Sequence, residues 1–142
     1  MTRAAPPALF FYGVLRPDLA SGRMAQLVAL LAPGAPASVA GNLYAVPDPN
    51  GHFPVMVAGA GRVHGTLLPR GSRFGPAELA ELDRFEGPDY ARRRVSVRTA
   101  DRRRHPADAY VWARPLARGF IAIPHGDFAR YLAETGAPPL PG

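Results

Sequence analysis

The sequence predicts an α+β fold, a small and mainly antiparallel β-barrel with a few short flanking helices. Three observations carry this expectation. Short apolar runs with strand character are separated by Gly, Pro and Asn-Gly turn signals. The stretches with helical spacing are few and short. The regular strand–helix alternation of a doubly wound parallel sheet is missing.

Taken in order, Leu9 to Tyr12 is an aromatic run ended by Gly13 and reads as a buried strand entering a tight turn. Arg23 to Ala32 places Met24, Leu27, Val28 and Leu31 at helical spacing, and Pro33-Gly34 stops it. Val39 to Val46 reads as a strand, followed by the turn Asp48-Pro49-Asn50-Gly51. Phe53 to Ala58 and Arg62 to Leu68 read as two strands around a glycine-rich connection. Pro76 to Phe85 is the clearest helix: proline suits its first position, Gly87 suits the position past its end, and Pro88 forbids continuation. Val95 and Val97 alternate with Ser96 and Arg98, as in a half-exposed strand. Asp101 to Pro106 is a polar turn, and Ala109 to Ala113 a further strand. Asp127 is placed to cap a last helix, Phe128 to Glu134.

At 142 residues the chain has the size of one domain. A chain of this length buries roughly 70% of its unfolded surface. With 47% hydrophobic residues it needs no metal or crosslink to fold. Residues 1–8 read as an N-terminal tail, 9–134 as the domain and 135–142 as a proline-rich, extended C-terminal tail. The absence of cysteine excludes a disulfide framework, thiolate zinc sites and a cysteine nucleophile. His52, His64, His105 and His125 lack metal-ligand spacing, so no metal is expected; no other cofactor is expected either. The apolar run Ala8 to Leu15 is too short for a signal-peptide core or a membrane span, and a cytoplasmic protein with no membrane partner is expected.

The formal charge is +6, and all 17 basic residues are arginine. Arg92-Arg93-Arg94 and Arg102-Arg103-Arg104 admit a nucleic-acid surface, but clusters of three are shorter than a basic tract, and a chain rich in Ala, Gly and Pro uses Arg for compositional reasons. Nucleic acid is the lesser alternative.

One residue carries chemical information by position alone. Leu79 and Leu82 mark the apolar face of the Pro76–Phe85 helix, and Glu86 follows them by seven and four residues. A helix that reaches Glu86 puts its carboxylate on that face. Burial there, and the negative end of the helix dipole, both disfavour the charged form and raise the pKa toward the range of general acid/base chemistry. The alternative is an ion pair with Arg92, Arg93 or Arg94, which would lower it. Glu81 and Arg84 point to water. Ser21, His125 and Asp127 are the residue types of a triad, but nothing brings them together, and Asp127 is better read as a cap.

Several segments, in order, resemble the γ-glutamylcyclotransferase-like (AIG2-like) family. Phe11-Tyr12-Gly13-Val14-Leu15-Arg16-Pro17 is similar to the family's Tyr-Gly-(Ser/Thr)-Leu-Arg opening. Gly41-Asn42-Leu43-Tyr44, Phe53-Pro54 and Val63-His64-Gly65-Thr66-Leu67 follow. Next come Leu82-Asp83-Arg84-Phe85-Glu86-Gly87 with Tyr90 and Arg92, then Ala109-Tyr110-Val111, then Gly126-Asp127. The resemblance implies a barrel with a small cavity lined by the turn Tyr12, Gly13, Val14 and Leu15, whose backbone groups would hold the α-amino and α-carboxylate ends of a γ-glutamyl substrate. A glycine allows close approach of a backbone to a ligand. The family's catalytic glutamate maps onto Glu86. Val14 departs from the pattern, since many members have Ser or Thr there. Tyr90 and Tyr110 either orient the substrate or pack in the barrel; Arg92 pairs with Glu86, binds a substrate carboxylate or is solvated.

The implied reaction is attack of the substrate's own α-amine on its γ-carbonyl, releasing 5-oxoproline and an amine or amino acid. The loop Pro47 to Gly51 is a candidate to shape the leaving-group side. The alternative is a non-catalytic module of the same fold that binds a small metabolite or a protein.

Overall fold

A computed structural model describes residues 6–141. Of the expected tails, residues 1–5 and 142 lie outside the described residues. The elements are β1 (Ala8–Phe11), α1 (Gly22–Val28), β2 (Ala35–Asp48), β3 (Gly51–Leu68), α2 (Pro76–Glu86), β4 (Tyr90–Thr99), β5 (Arg104–Trp112), β6 (Ile121–Ala122) and α3 (Phe128–Thr135). The strands hydrogen-bond in the order β3-β1-β5-β4-β2, and β2 pairs again with β3. The five strands therefore close into the expected barrel, in which edges are abolished. Its pairings are antiparallel except β1 with β5, which run parallel in the register Ala8 to Ala107 and Leu9 to Asp108.

β1 is apolar on both faces because both faces are covered. Phe10 points into the barrel with Val39, Leu43, Met56, Val63, Val97 and the small Ala107 and Ala109. Leu9 and Phe11 point outward into a second core with Met24, Leu27, Val28, Leu68 and Leu82 beneath α1 and α2. α3 contributes Phe128, Tyr131 and Leu132 to the barrel core, and Asp127 caps it as expected by accepting from the Arg130 N–H at 3.2 Å. Arg23 of α1 pairs with Glu81 of α2 at 2.7 Å. Among the described residues, no helix is long and apolar enough to cross a membrane.

Several elements differ from the sequence reading. β2 and β5 begin at Ala35 and Arg104, ahead of the expected Val39 and Ala109, and β5 takes the last three residues of the expected Asp101–Pro106 turn into its pairing with β4. α1 ends at Val28 rather than Ala32, because the chain tightens into turns with Leu30 N–H bonded to Leu27 O and Leu31 N–H to Val28 O, both at 3.1 Å. Such i→i+3 turns keep Leu31 on the apolar side. The two strands expected around a glycine-rich connection are one strand, β3, and Ala58 to Gly61 form a bulge opposite the single residue Gly41. The Asn42 side chain accepts from the Gly61 N–H at 3.1 Å and steadies that bulge. β6 carries no strand signal of its own and exists by pairing with Tyr44 and Ala45 of β2. The C-terminal segment is extended and runs beside the start of β3, with His52 N–H bonded to Pro138 O and Leu140 N–H to His52 O, both at 2.8 Å.

A buried carboxylate ties the barrel seam. Asp108 on β5 is 7% exposed and accepts from Arg70 at 3.0 Å, Arg94 at 3.0 Å and Arg92 at 3.3 Å. Arg70 also donates to Pro7 O at 2.8 Å, just before β1. Removing one partner of a buried charge cluster leaves the others uncompensated. Asp108→Ala is expected to lose roughly 3 kcal/mol or more in urea denaturation; a loss below about 1 kcal/mol, the scale of an exposed pair, would show that this cluster does not brace the seam.

Candidate active site

α2 starts and stops as its sequence requires. Pro76 stands at the first turn, and Glu78 Oε1 accepts from the Gly75 N–H at 2.8 Å. Gly87 ends the helix at φ 81°, a conformation costly for any residue with a Cβ. Leu82 is fully buried, and Leu79 and Phe85 pack against the cores. The last helical residue, Glu86, therefore shares the inward face, as its spacing predicts.

Glu86 lines a cavity with Phe10, Phe11, Tyr12, Gly13, Val14, Leu15, Pro54, Tyr90 and Tyr110. Its carboxyl is pushed up from the ordinary 4.5 to about 8 by burial. The residue as a whole keeps some exposure, because the cavity opens to solvent, but protein encloses the carboxyl. Among the described residues, no arginine pairs with it and no group donates a hydrogen bond to it.

The surrounding hydroxyls explain this isolation. Tyr12 donates to the backbone oxygen of Tyr110. Tyr90 donates to Pro54 O at 2.7 Å. Tyr110 donates to Asp83 Oδ1 at 2.7 Å. All three hydroxyls are held well above their ordinary pKa, by burial first and in part by the negative charge of Glu86. They stay protonated, and their donor protons point elsewhere.

The turn after β1 is closed by a bond from Arg16 N–H to Gly13 O at 2.9 Å. Val14 buries its side chain in the barrel core and Leu15 in the outer core. Among the described residues, the N–H groups of Val14 and Leu15 find no acceptor. The need for glycine at position 13 has a protein cause. A Cβ there would stand 2.3 Å from Pro54 Cγ and 2.9 Å from Pro54 Cδ.

Arg92 is not brought into this cavity. It bonds Asp83 at 3.0 and 3.3 Å and Asp108 at 3.3 Å, on the outer side of β4. The ion pair between Glu86 and the Arg92–Arg94 run does not form, because Asp83 and Asp108 take Arg92 and Arg94. Tyr12, Gly13, Val14, Leu15, Tyr90 and Tyr110 do meet Glu86. His125 meets Glu134 at 2.8 Å through Nε2 and accepts the Asp127 backbone N–H at 3.2 Å through Nδ1, while the Asp127 carboxylate caps α3 and pairs with Arg16, so the two side chains form no relay.

The cavity encloses only ≈ 20 Å³, about the space of one or two waters. A second cavity of ≈ 170 Å³ shares Val14, Glu86 and Tyr90 and adds Phe53, Phe85, Asp89, Trp112 and Leu140. Tyr90 stands between the two, edge-on to Trp112 at 5.2 Å. Sequence reading missed Trp112 and Leu140. The signal for Trp112 is its register opposite Tyr90; Leu140 arrives only through pairing of the C-terminal segment with His52. The Pro47 to Gly51 loop lines neither cavity.

The raised carboxyl has a stability consequence. Its folded value of about 8 exceeds the ordinary 4.5, so the folded state holds a proton that the unfolded state releases. Stability is full below about pH 4.5 and falls as pH rises toward 8. Glu86→Gln removes this slope, and the variant is expected to gain stability over the native chain by up to about 1.4 kcal/mol per pH unit across that window. Melting temperatures of both chains at pH 5 and pH 8 test this, and a constant difference would mean the carboxyl ionises as freely folded as unfolded.

The model of the family described as "Gamma-glutamyl cyclotransferase, AIG2-like" matches residues 9–130. No curated protein matches the chain in sequence. Among solved structures, YkqA from Bacillus subtilis superposes with a TM-score of 0.67 at 22% identity, covering 92% of this chain and 42% of that one. The chain thus spans less than half of the Bacillus protein. PH0828 from Pyrococcus horikoshii gives a TM-score of 0.67 at 18% identity, covering 92% and 97%. An AIG2-like protein from Mus musculus gives 0.65 at 16% identity, covering 88% and 89%. These likenesses concern the fold. The sequence match over residues 9–130 spans most of the chain, and the protein belongs to the gamma-glutamyl cyclotransferase, AIG2-like family.

Proposed function

We propose that the protein is a cyclotransferase that cleaves a γ-glutamyl amide by intramolecular attack, with Glu86 as its acid and base. The observation that carries the reading is a buried carboxyl with no protein partner beside a turn whose N–H groups have no acceptor. Family membership supports a cyclotransferase-type activity; the reaction and the residue roles are this reading's own.

In the proposed reaction the substrate carries both reacting groups. The α-amine nitrogen forms a bond to the γ-carbonyl carbon, the amide C–N bond breaks, and 5-oxoproline and a free amine or amino acid leave. No enzymic nucleophile is needed, because well-oriented intramolecular attack reaches effective molarities on the order of 10⁵ M or more. What remains is proton traffic. The α-amine arrives as an ammonium and loses one proton to Glu86 before attack, then a second as the ring closes; the leaving nitrogen takes up both and departs as an ammonium. One carboxyl does both steps, and a pKa of about 8 lies near enough to neutrality for either direction. An ammonium entering the cavity supplies the opposite charge that the empty site lacks and draws the carboxyl toward its ionised form.

The N–H groups of Val14 and Leu15 are suited to the substrate carboxylate or the developing oxyanion. A backbone contact of this kind makes no demand on the side chain at position 14, so valine in place of Ser or Thr is compatible with activity. The larger cavity beyond Tyr90 suits the leaving group. For a glutamyl head group to reach Glu86, Tyr90 has to release Pro54 O and turn, which would join the two cavities. No cofactor is required by this chemistry, and the partner is a small γ-glutamyl molecule.

Glu86→Gln is expected to fold and to lose about 10²- to 10⁴-fold in kcat for 5-oxoproline release from a panel of γ-glutamyl amides. Near-native turnover in that variant would remove Glu86 from the mechanism, and no 5-oxoproline from any panel member would favour a binding module. In the native enzyme kcat/KM should rise with pH up to about 8, the value of the free carboxyl, and fall again as the substrate's own α-ammonium deprotonates. The corresponding rising limb of kcat should lie lower, because bound ammonium favours the carboxylate. Coincident limbs in the two profiles would argue against an ammonium binding beside Glu86.

A further inference from the structure

The outer face of the barrel carries a row of arginines interleaved with a serine and a histidine. His64 on β3 is in register with Ser38 on β2, Ser38 with Arg98 on β4, and Arg98 with Arg104 on β5. Residues in register point to the same side of a sheet, so these four share one face. Arg62, two residues before His64, lies along the same face and donates to Ser38 Oγ at 3.1 Å and Ser38 O at 3.4 Å. Arg102 in the β4–β5 turn adds a further guanidinium, held at φ 64°. A left-handed conformation is uncommon for such a residue.

Like charges directly opposite on paired strands are destabilising, and Arg98 and Arg104 are such a pair. Arg62 feels them: its guanidinium is lowered from its ordinary value by burial and by the charges of Arg98 and Arg104. The nearby carboxylates are used elsewhere. Asp101 serves Thr99 and Arg103, and Asp18 and Asp127 serve Arg16. Among the described residues no carboxylate pairs with Arg62, Arg98, Arg102 or Arg104. Arg16, Ser38, His64, Arg98, Arg102 and Arg104 line an open groove of ≈ 640 Å³, within the range of small-ligand sites; Arg62 stands beside it through Ser38. Its hydroxyl donors are Ser38 and Thr99, and no Phe, Tyr or Trp lines it.

We propose that this groove is a binding site for a small polyphosphate group carrying two or more negative charges. Guanidinium forks match phosphate oxygens, and an anion there would convert the Arg98–Arg104 repulsion into shared attraction. The lack of aromatic walls leaves a nucleobase nothing to stack on, which favours recognition of the phosphate groups alone and disfavours single-stranded nucleic acid. The site is independent of the cavity at Glu86.

Isothermal titration of the full chain with inorganic triphosphate at low salt tests it. One molecule is expected to bind per chain, with ATP binding within about threefold because the base adds no contact. Arg98→Ser/Arg104→Ser should weaken triphosphate about tenfold or more, whereas Arg84→Ser/Arg118→Ser, an equal loss of charge away from the groove, should change it less than about twofold. The Arg98/Arg104 variant should melt no lower than the native chain at low salt; if it does not fold, Arg102→Ser is expected to weaken binding in the same sense. Absence of saturable binding, equal weakening by both double variants, or an oligo-dT of ten nucleotides binding far more tightly than triphosphate would each overturn the proposal.

Discussion

Three tyrosine hydroxyls surround the Glu86 carboxyl, and each donates its proton to another acceptor. Tyr12 and Tyr90 donate to backbone oxygens, and Tyr110 donates to Asp83. The behaviour of the cavity rests on this arrangement. Had any of them donated to Glu86, the carboxylate would have been stabilised and its pKa drawn back toward the ordinary range. Instead burial acts unopposed. The cost is carried by the rest of the fold, since a buried carboxyl without a partner lowers stability at neutral pH. Sites where local stability is sacrificed for chemical readiness are the usual places where rules of folding are broken.

The arginines divide into two populations by what they meet. Arg70, Arg92 and Arg94 converge on Asp108, and Arg92 also holds Asp83. This network binds α2 to the β4–β5 hairpin and keeps positive charge off Glu86, even though Arg92 follows it by only six residues. Arg62, Arg98 and Arg104 meet one another across the sheet instead, and Arg102 in the adjoining turn lines the same groove. The same side chain thus braces the fold on one face and builds an unbalanced field on another. Net charge alone, +6 over the chain, conceals this division.

Barrel closure converts short-range pattern into site geometry. β1 is only four residues long, yet it joins β3 and β5 and so completes the ring. Because its two faces sink into different cores, the chain leaving it has little freedom, and the Tyr12–Leu15 turn is delivered to Glu86 with side chains already committed: Val14 inward, Leu15 outward. Pro54 closes the remaining space, close enough to Gly13 that no side chain fits there. A preorganised turn of this kind presents backbone donors at little entropic cost.

Much of this was legible from the chain alone where the governing interactions are local. Helix α2, its proline start, its glycine stop and the inward face of Glu86 follow from spacings of three, four and seven residues, and these act within two turns of helix. The Asp127 cap and the alternation of Val95 and Val97 are read the same way. Tertiary structure alone decided that Arg92 belongs to Asp83 and Asp108 rather than to Glu86, that Gly13 is required by Pro54, that β6 forms, and that Leu140 returns to line a cavity. Each of these depends on which distant residues closure of the barrel brings into contact. A side chain's choice among several partners of suitable charge is settled by those three-dimensional distances, which no periodicity in the chain encodes.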